Sequence, residues 1–387
     1  MSCYITHPES DTIRHIHQQQ IREQPTLSNQ ARIDEFIEKT KELNGRPVRE
    51  REAWNNEASA DAIRHFAYGI DDDNPLWLDA EYASGTSHGN IMAPPAFLVS
   101  VLYPILHGAP MEVPLSSLIG GVEFEWEKPV SQGEKLRAES VQKDSFVKTN
   151  KAGRALIFII SECTYWNEAD EVVARGTGTM IRTLQEGNTL LYERPVKKYD
   201  EAEFAEIENA YQAEERRGGE KRRFADVSVG DELPSMLRGP LTIGDMVAWN
   251  AGNGPSYKAG RRGYLDLKKA PHNAVLIPQI GIQVKNSQQH EDFNLASGRG
   301  MPGPFDNGVM RFAWVSPFIT NWMGDDAFLK NLYVQVRRPM IYGDTIWHKG
   351  QVVEKDEAEC TVKVEITGTN QEGELATAGS AVVRLPE

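Results

Sequence analysis

The sequence predicts an α+β fold made of two similar halves, each a long apolar helix followed by an antiparallel meander of strands. Three observations carry this. The chain has 387 residues, too many for one ordinary core and suited to two domains or two halves of a pseudo-symmetric body. Segments of the first half recur in the second in the same order. Each half passes from helical apolar spacing to strict period-2 alternation.

Composition narrows the class. Apolar residues make up 40% before the 32 glycines are counted, a globular rather than a disordered balance. With 42 basic and 56 acidic residues the formal charge is −14. No basic stripe dominates, which disfavours nucleic acid and anionic membrane as main partners and leaves room for a small anion held by a local Arg/Lys cluster. Cys3, Cys163 and Cys360 are far apart and odd in number, which suits a reducing compartment and argues against a disulfide framework or thiolate zinc site. The first twenty or so residues lack the apolar core of a secretory signal. The most apolar stretch, Leu98 to Leu106, is too short to span a bilayer and contains Pro104. A soluble, cytoplasmic protein is expected.

The elements follow in chain order. Residues 1–50 form a polar extension in which ARIDEFIEKTKEL has helical spacing. In the first half, 51–190, AIRHFAYGI reads as a short helix, PPAFLVSVLYPIL as a longer apolar one, and runs such as LIFIISECTYW as strands. Residues 191–223 form a charged linker, in which Tyr199 to Arg223 reads as a helix ending near Gly218-Gly219. The second half, 224–387, repeats the order with DMVAWNAG, NGVMRFAWVSPFITNWM and strands such as CTVKVEIT. A Pro-x-x-x-Gly-Glu/Asp turn precedes a long strand in each half, proline fixing φ and glycine allowing φ > 0.

The repeat is specific. Pro129 and Gly133 match Pro339 and Gly343 at one constant separation. Trp77 to Gly85 (WLDAEYASG) matches His290 to Gly298 (HEDFNLASG), and ARGTGTMIR matches TAGSAVVR. Three matches in one order make the chain a tandem duplication.

Residues Gly69 to Leu98, GIDDDNPLWLDAEYASGTSHGNIMAPPAFL, resemble the MaoC-like dehydratases and R-specific enoyl-CoA hydratases, whose signature runs Asp-x-Asn-Pro-Leu/Ile-His-x-Asp into a Tyr-Ala pair. The opening of the second half, FADVSVGDELPSMLRGPLTIGDMVAW, is similar to the start of a MaoC-like domain. The resemblance implies a double hotdog, two long central helices each wrapped by an antiparallel sheet. It further implies a hydro-lyase of lipid metabolism that hydrates 2-enoyl-CoA or dehydrates 3-hydroxyacyl-CoA, with an acyl-CoA thioester as its partner. No metal or redox cofactor is implied, and a homodimer or a heteromer of hotdog subunits is.

Such chemistry needs a base for water, a proton for the α-carbon and donors for the enolate oxygen. The family supplies an Asp and a His, and this chain splits them. In the first half Asp72, Asn74, Pro75 and Asp79 match, but the histidine position holds Trp77. In the second, His290 and Asp292 match, while the aspartate position holds Lys285, or Pro255 if Phe66 is paired with Trp249 and residues 257–289 are an insertion. Three arrangements remain open. One is a single second-half site on His290 with Asp306 or Asp292 as its acid. Another is a site shared by Asp72 and His290. The last is a silent acyl-binding subunit of a heteromeric dehydratase. A hotdog thioesterase is the rival chemistry.

The remaining candidates carry two readings each. Asp72 sits in Asp-Asn-Pro, also a good turn cap, and His290 among polar residues, also a plain loop. Asn74 and Trp77 read as pocket wall, and Gly308 as a backbone donor for a thioester oxygen at the central helix. Lys258, Arg261 and Arg262 are a nucleotide-phosphate cluster or a solvated loop. His88 and His272 read equally as packing. The glycines of LASGRGMPGPFDNG lack the strand and acid of a dinucleotide site, and neither a P-loop nor a Gly-x-Ser-x-Gly elbow occurs.

Overall fold

The computed structural model describes residues 29–110, 115–151, 153–184, 194–255 and 257–387. Cys3 and the His272 side chain lie outside the described part. Helix α1 (Asn29–Lys41) turns Ile33, Phe36 and Thr40 inward and lies on β2. Helices α2 (Ala60–Gly69), α3 (Pro75–Leu78) and α4 (Ala80–Ser84) follow, then a 3₁₀ segment, Pro95–Ser100. The first meander is β1 (Leu115–Trp126), β2 (Leu136–Thr149), β3 (Ala155–Asn167) and β4 (Val172–Leu184). After α5 (Glu201–Gln212) come β5 (Met236–Arg238), α6 (Ile243–Asn253), α7 (Gly260–Lys269), the hairpin β6 (Ala274–Ile277) and β7 (Ile282–Lys285), and α8 (Phe293–Ser297). The chain ends with the buried helix α9 (Gly308–Met323) and β8 (Phe328–Val336), β9 (Ile346–Asp356), β10 (Thr361–Asn370) and β11 (Leu375–Arg384).

One nine-stranded sheet runs through both halves, in the order β2-β3-β4-β1-β8-β11-β10-β9-β5. The seam is an antiparallel pairing of β1 with β8, from Gly121 opposite Gln335 to Glu125 opposite Asn331. A side chain at Gly121 would come within 3.1 Å of the Val334 carbonyl, so a small residue keeps the seam closed. Alternation decides which face is core: Ile157, Ile159, Ser161, Cys163 and Tyr165 of β3 point inward. In β10, Val364 and Ile366 do the same.

The halves also meet through helices. Helices α2 and α6 pack against each other at glycines: a Cβ on Gly69 would sit 2.8 Å from Ala248 O, and one on Gly252 would sit 2.6 Å from His65 O. The contact pairs the ends of equivalent helices, which supports matching Phe66 with Trp249 and treating 257–289 as an insertion.

Two expectations need correction. The pair of long central helices is one helix and one short segment. Every residue of α9 from Val309 to Met323 is buried, and it packs on β8 and β1. Its counterpart stops as the six-residue 3₁₀ turn Pro95–Ser100. Pro104 has no N–H to give the Ser100 carbonyl, which instead accepts from Trp54 N and Asn55 N at 3.2 and 3.1 Å. Beyond it, Tyr165 Oη donates to Leu102 O and Ser161 Oγ to Pro104 O at 2.6 and 2.8 Å, so the segment lies along β3 instead of coiling. Proline alone is not the cause, since α9 continues through Pro317.

The linker helix is also shorter than its charge pattern suggests. It ends at Gln212 behind a capping box of Asp200 and Glu203, and Gly218-Gly219 lie in the turns after it. The surrounding segment is docked: Arg194 pairs with buried Asp344, and Tyr199 Oη donates to Gly343 O at 2.8 Å. No helix among the described residues is long and apolar enough to cross a membrane.

Candidate active site

The repeated WLDAEYASG/HEDFNLASG segments fold alike. Asp79 Oδ1 accepts from Glu81 N and Tyr82 N at 2.9 and 3.0 Å and starts α4. Asp292 Oδ1 accepts from Asn294 N and Leu295 N at 2.8 and 3.0 Å and starts α8. The residue two before each cap lies in a short helical turn, Trp77 in α3 and His290 at the end of the 3₁₀ turn Asn286–His290. His290 and Trp77 therefore occupy equivalent places.

His290 is half-buried, its ring edge-on to Phe305 at 4.6 Å. Its Nδ1 lies 2.8 Å from the Phe305 carbonyl. A carbonyl only accepts, so Nδ1 carries the hydrogen and Nε2 keeps its lone pair. Burial, with help from Arg299 and Arg51, lowers its pKa to about 4, against the raising effect of the Phe305 bond. At neutral pH the ring is an uncharged acceptor.

The two acids expected beside it are engaged elsewhere. Asp292 is the α8 cap. Asp306, 4% exposed, places Oδ2 2.6 Å from Arg311 Nη2 and accepts at Oδ1 from Met340 N at 2.8 Å. Arg311 also donates to Thr377 Oγ1 at 2.8 Å. This buried pair anchors the start of α9 to the strands, so Asp306 as a free catalytic acid is corrected to a structural counter-ion. Gly308 opens α9 where a Cβ would meet Ile119 Cβ at 2.6 Å; its first observable role is to let the helix reach β1. Its neighbour Asn307 accepts from Val309 N at 3.0 Å and from the Tyr103 hydroxyl of the other half.

Asp72 is 3% exposed. Oδ1 accepts from Asn74 N at 3.2 Å, while Oδ2 is buried without a partner. Burial raises its pKa to about 6, against the Asn74 bond, the nearby Trp77 indole, and the charges of Arg238 and Arg216. Trp77 Nε1 also lacks hydrogen-bond geometry to any acceptor.

The Trp77 side opens into a narrow cleft with a cavity volume of about 60 Å³. Its walls are apolar, including Trp77, Phe97, Trp126, Val130, Met323 and Leu329. At its polar end Asn74 Nδ2 and Tyr82 Oη donate to Asp325 at 3.4 and 2.6 Å, and His88 Nε2 meets the Asp325 carbonyl at 2.9 Å. Asn74 and Trp77 are thus cleft wall, joined by His88. Lys258, Arg261 and Arg262 are exposed, the first 3.2 Å from Glu52 and the others on α7.

Several functional-looking residues escaped sequence reasoning. Arg51 stood at the start of the first half without a motif, and Arg299 in a segment read for its glycines. Asp325, Tyr103 and Glu291 carried no motif. Glu291 accepts from Asn250 Nδ2 at 2.7 Å, and burial raises its pKa.

A family model for the FAS1-like dehydratase domain region matches residues 42–176. A UPF0336 protein of Parafrankia sp. is 31% identical over 125 residues, covering 31% of this chain and 79% of its own length. A solved MaoC-like dehydratase matches with a TM-score of 0.63 at 18% identity, over 89% of this chain and 99% of the other. A MaoC-like dehydratase from Phytophthora capsici matches with a TM-score of 0.52 at 14% identity, over 91% and 98%. With its fused sheet, its duplicated signature segments and these matches, the chain belongs to the MaoC-like hotdog dehydratases.

Proposed function

We propose that the protein is a hydro-lyase on coenzyme A thioesters, reversibly adding water to a 2-enoyl group, with His290 as its base. The observation that carries this is the imidazole fixed by Nδ1–H on the Phe305 carbonyl, which leaves Nε2 as a neutral, oriented acceptor. Nε2 takes a proton from water as the oxygen bonds the β-carbon. The double-bond electrons move toward the thioester, and the imidazolium returns a proton to the α-carbon, so one group serves both transfers. On this reading the backbone at Gly308, at the start of α9, receives the enolate oxygen. The apolar cleft beside Trp77 takes part of the acyl chain, and the exposed Lys258, Arg261 and Arg262 meet the nucleotide.

A second reading rests on the engagement of Asp292 and Asp306: with both acids committed, the chain would bind acyl thioesters beside an active partner subunit. Loss of the enoyl-thioester absorbance on adding the purified protein to 2-enoyl-CoAs of several lengths decides between them. Turnover supports the hydro-lyase. Tight binding without turnover, at every length, supports the silent subunit.

A further inference from the structure

The insertion 257–289 departs from the rest of the chain both in charge and in what it leaves exposed. It carries six basic residues and one acidic, a net charge of +5 within a chain of −14. Helix α7 buries none of its residues. Arg261, Tyr264, Leu265, Lys268 and Lys269 follow the i, i+3, i+4, i+7, i+8 spacing of one helix face, and all five are exposed. Gly263, Asp266 and Leu267 make the partly covered side, so the one acid of the helix is not on the open face. Lys268 Nζ sits 5.4 Å from the centre of the Tyr264 ring, and among the described residues no salt bridge neutralises a cation of α7. The β6–β7 hairpin stands apart from the nine-stranded sheet and packs beside α7 through β7. Its apolar side chains meet water: Leu276 is 53% exposed, Ile282 51%, and Ile280 at the tip 62%. Turn tips are ordinarily Gly, Pro, Asn, Asp or Ser, and apolar exposure gathered in one place marks a contact surface.

We propose that α7 and the β6–β7 hairpin seat the protein on the surface of an anionic lipid bilayer. The mixture of residues selects this occupant. Cations and apolar side chains alternate on one helix face, which suits the headgroup boundary, where Lys and Arg meet lipid phosphates while Tyr, Leu and Ile enter the edge of the acyl region. The core of a protein interface is instead depleted in Lys and keeps its charges at the rim. A second copy of this chain fits no better, because a twofold contact would set the same cations against each other. The charge of the whole chain opposes an anionic surface, so the contact is confined to this one segment and oriented by it. Strand β7 runs directly into the 3₁₀ turn that ends at His290, and docking therefore holds that turn beside the bilayer. The proposal does not rest on the hydratase reading. Arg261 and Arg262 stay unchanged in its test because that reading gives them to the nucleotide.

Cosedimentation of the full chain with lipid vesicles is the test. Phosphatidylcholine vesicles containing about one third phosphatidylserine should carry the protein down at low salt, and pure phosphatidylcholine should not. Lys268→Gln combined with Lys269→Gln should weaken binding about 25-fold, roughly fivefold for each charge near the surface. Ile280→Ser should weaken it at least about tenfold, since the side chain no longer enters the acyl boundary. All three positions are exposed, so melting temperatures should hold, and Ile280→Leu should restore binding. No binding to the mixed vesicles, or equal binding to the neutral ones, would overturn the inference. A loss in the lysine variant with none in Ile280→Ser would also overturn it, by reducing the patch to a site for soluble polyanions or an acidic protein. Release from the vesicles by saturating coenzyme A would overturn it by assigning the cations to a nucleotide. Self-association that both variants abolish, with no vesicle binding, would make the face a contact between copies and refute the bilayer.

Discussion

On the proposed mechanism, replacing His290 with alanine removes the imidazole that accepts the proton from water. A positioned general base contributes roughly 10²–10⁴ in rate, or about 2.7–5.4 kcal/mol of barrier. The structure bounds the side effects. Losing the Nδ1–H bond to Phe305 costs about 1 kcal/mol of stability, with the freed carbonyl as the remaining concern. His290→Gln, which can keep a donor toward Phe305, separates the two effects: it should restore the melting temperature and not the rate. The assay is initial hydration velocity against pH. With His290 lowered to about 4, the base is unprotonated from pH 5 to 8, so kcat/KM should stay level there and fall only as pH drops through about 4. Were Asp72 the base, raised to about 6, the fall would begin two pH units higher. A limb near 6 in the unchanged protein, or normal turnover in His290→Ala, would refute the assignment.

Asp72 is buried with one oxygen unpartnered, so Asp72→Asn should stabilise the fold. Its folded pKa is raised, so the charged form is penalised as pH climbs through about 6; at about 1.4 kcal/mol per pH unit above the ordinary 3.8 the gain approaches about 3 kcal/mol above pH 6 and vanishes below pH 4. Denaturant titrations at pH 4 and 8 check the sign. Asp306→Ala strands the buried Arg311 charge and should cost about 3–5 kcal/mol of stability, read by the same titration; loss of rate with an unchanged melting curve would restore Asp306 to catalysis. Gly178→Ala places a Cβ 1.8 Å from the Pro104 carbonyl, so it should shift the melting temperature down by several degrees or prevent folding, whereas Gly133→Ala, with open space around it, should disturb only its positive φ.

The large features of the fold were legible because they rest on local periodicity and on repetition. The alternation in LIFIISECTYW and CTVKVEIT survives as β3 and β10, and the repeated caps Asp79 and Asp292 survive as paired helix starts. What failed depended on long-range competition. The first central helix reads as well as the second in sequence, yet Trp54 and Asn55 amides and the Tyr165 and Ser161 hydroxyls, all distant in the chain, claim its carbonyls. The site divided along the same line. His290 was singled out by its register with a motif. Asp325 and Glu291 carry meaning only through the distant side chains that meet them, Asn74 and Tyr82 for one and Asn250 for the other. Asp306 misled for the converse reason: its partner Arg311 lies one helical turn away, and nothing local says that both are sealed from water.

The β1–β8 seam bears on how the protein can be taken apart. A half produced alone would expose the full edge of β1 or β8, a row of unsatisfied amides and carbonyls that recruits another strand. Such a fragment should be recovered as a self-paired dimer or an aggregate, and rarely as a monomer. Self-pairing of the second half would set two His290 loops where the intact chain has one, and would lose Arg51 and Tyr103, which only the first half supplies. Divergence of the halves is thus made permanent by their covalent join: one can carry Trp77 where the other carries His290, because neither has to fit a copy of itself.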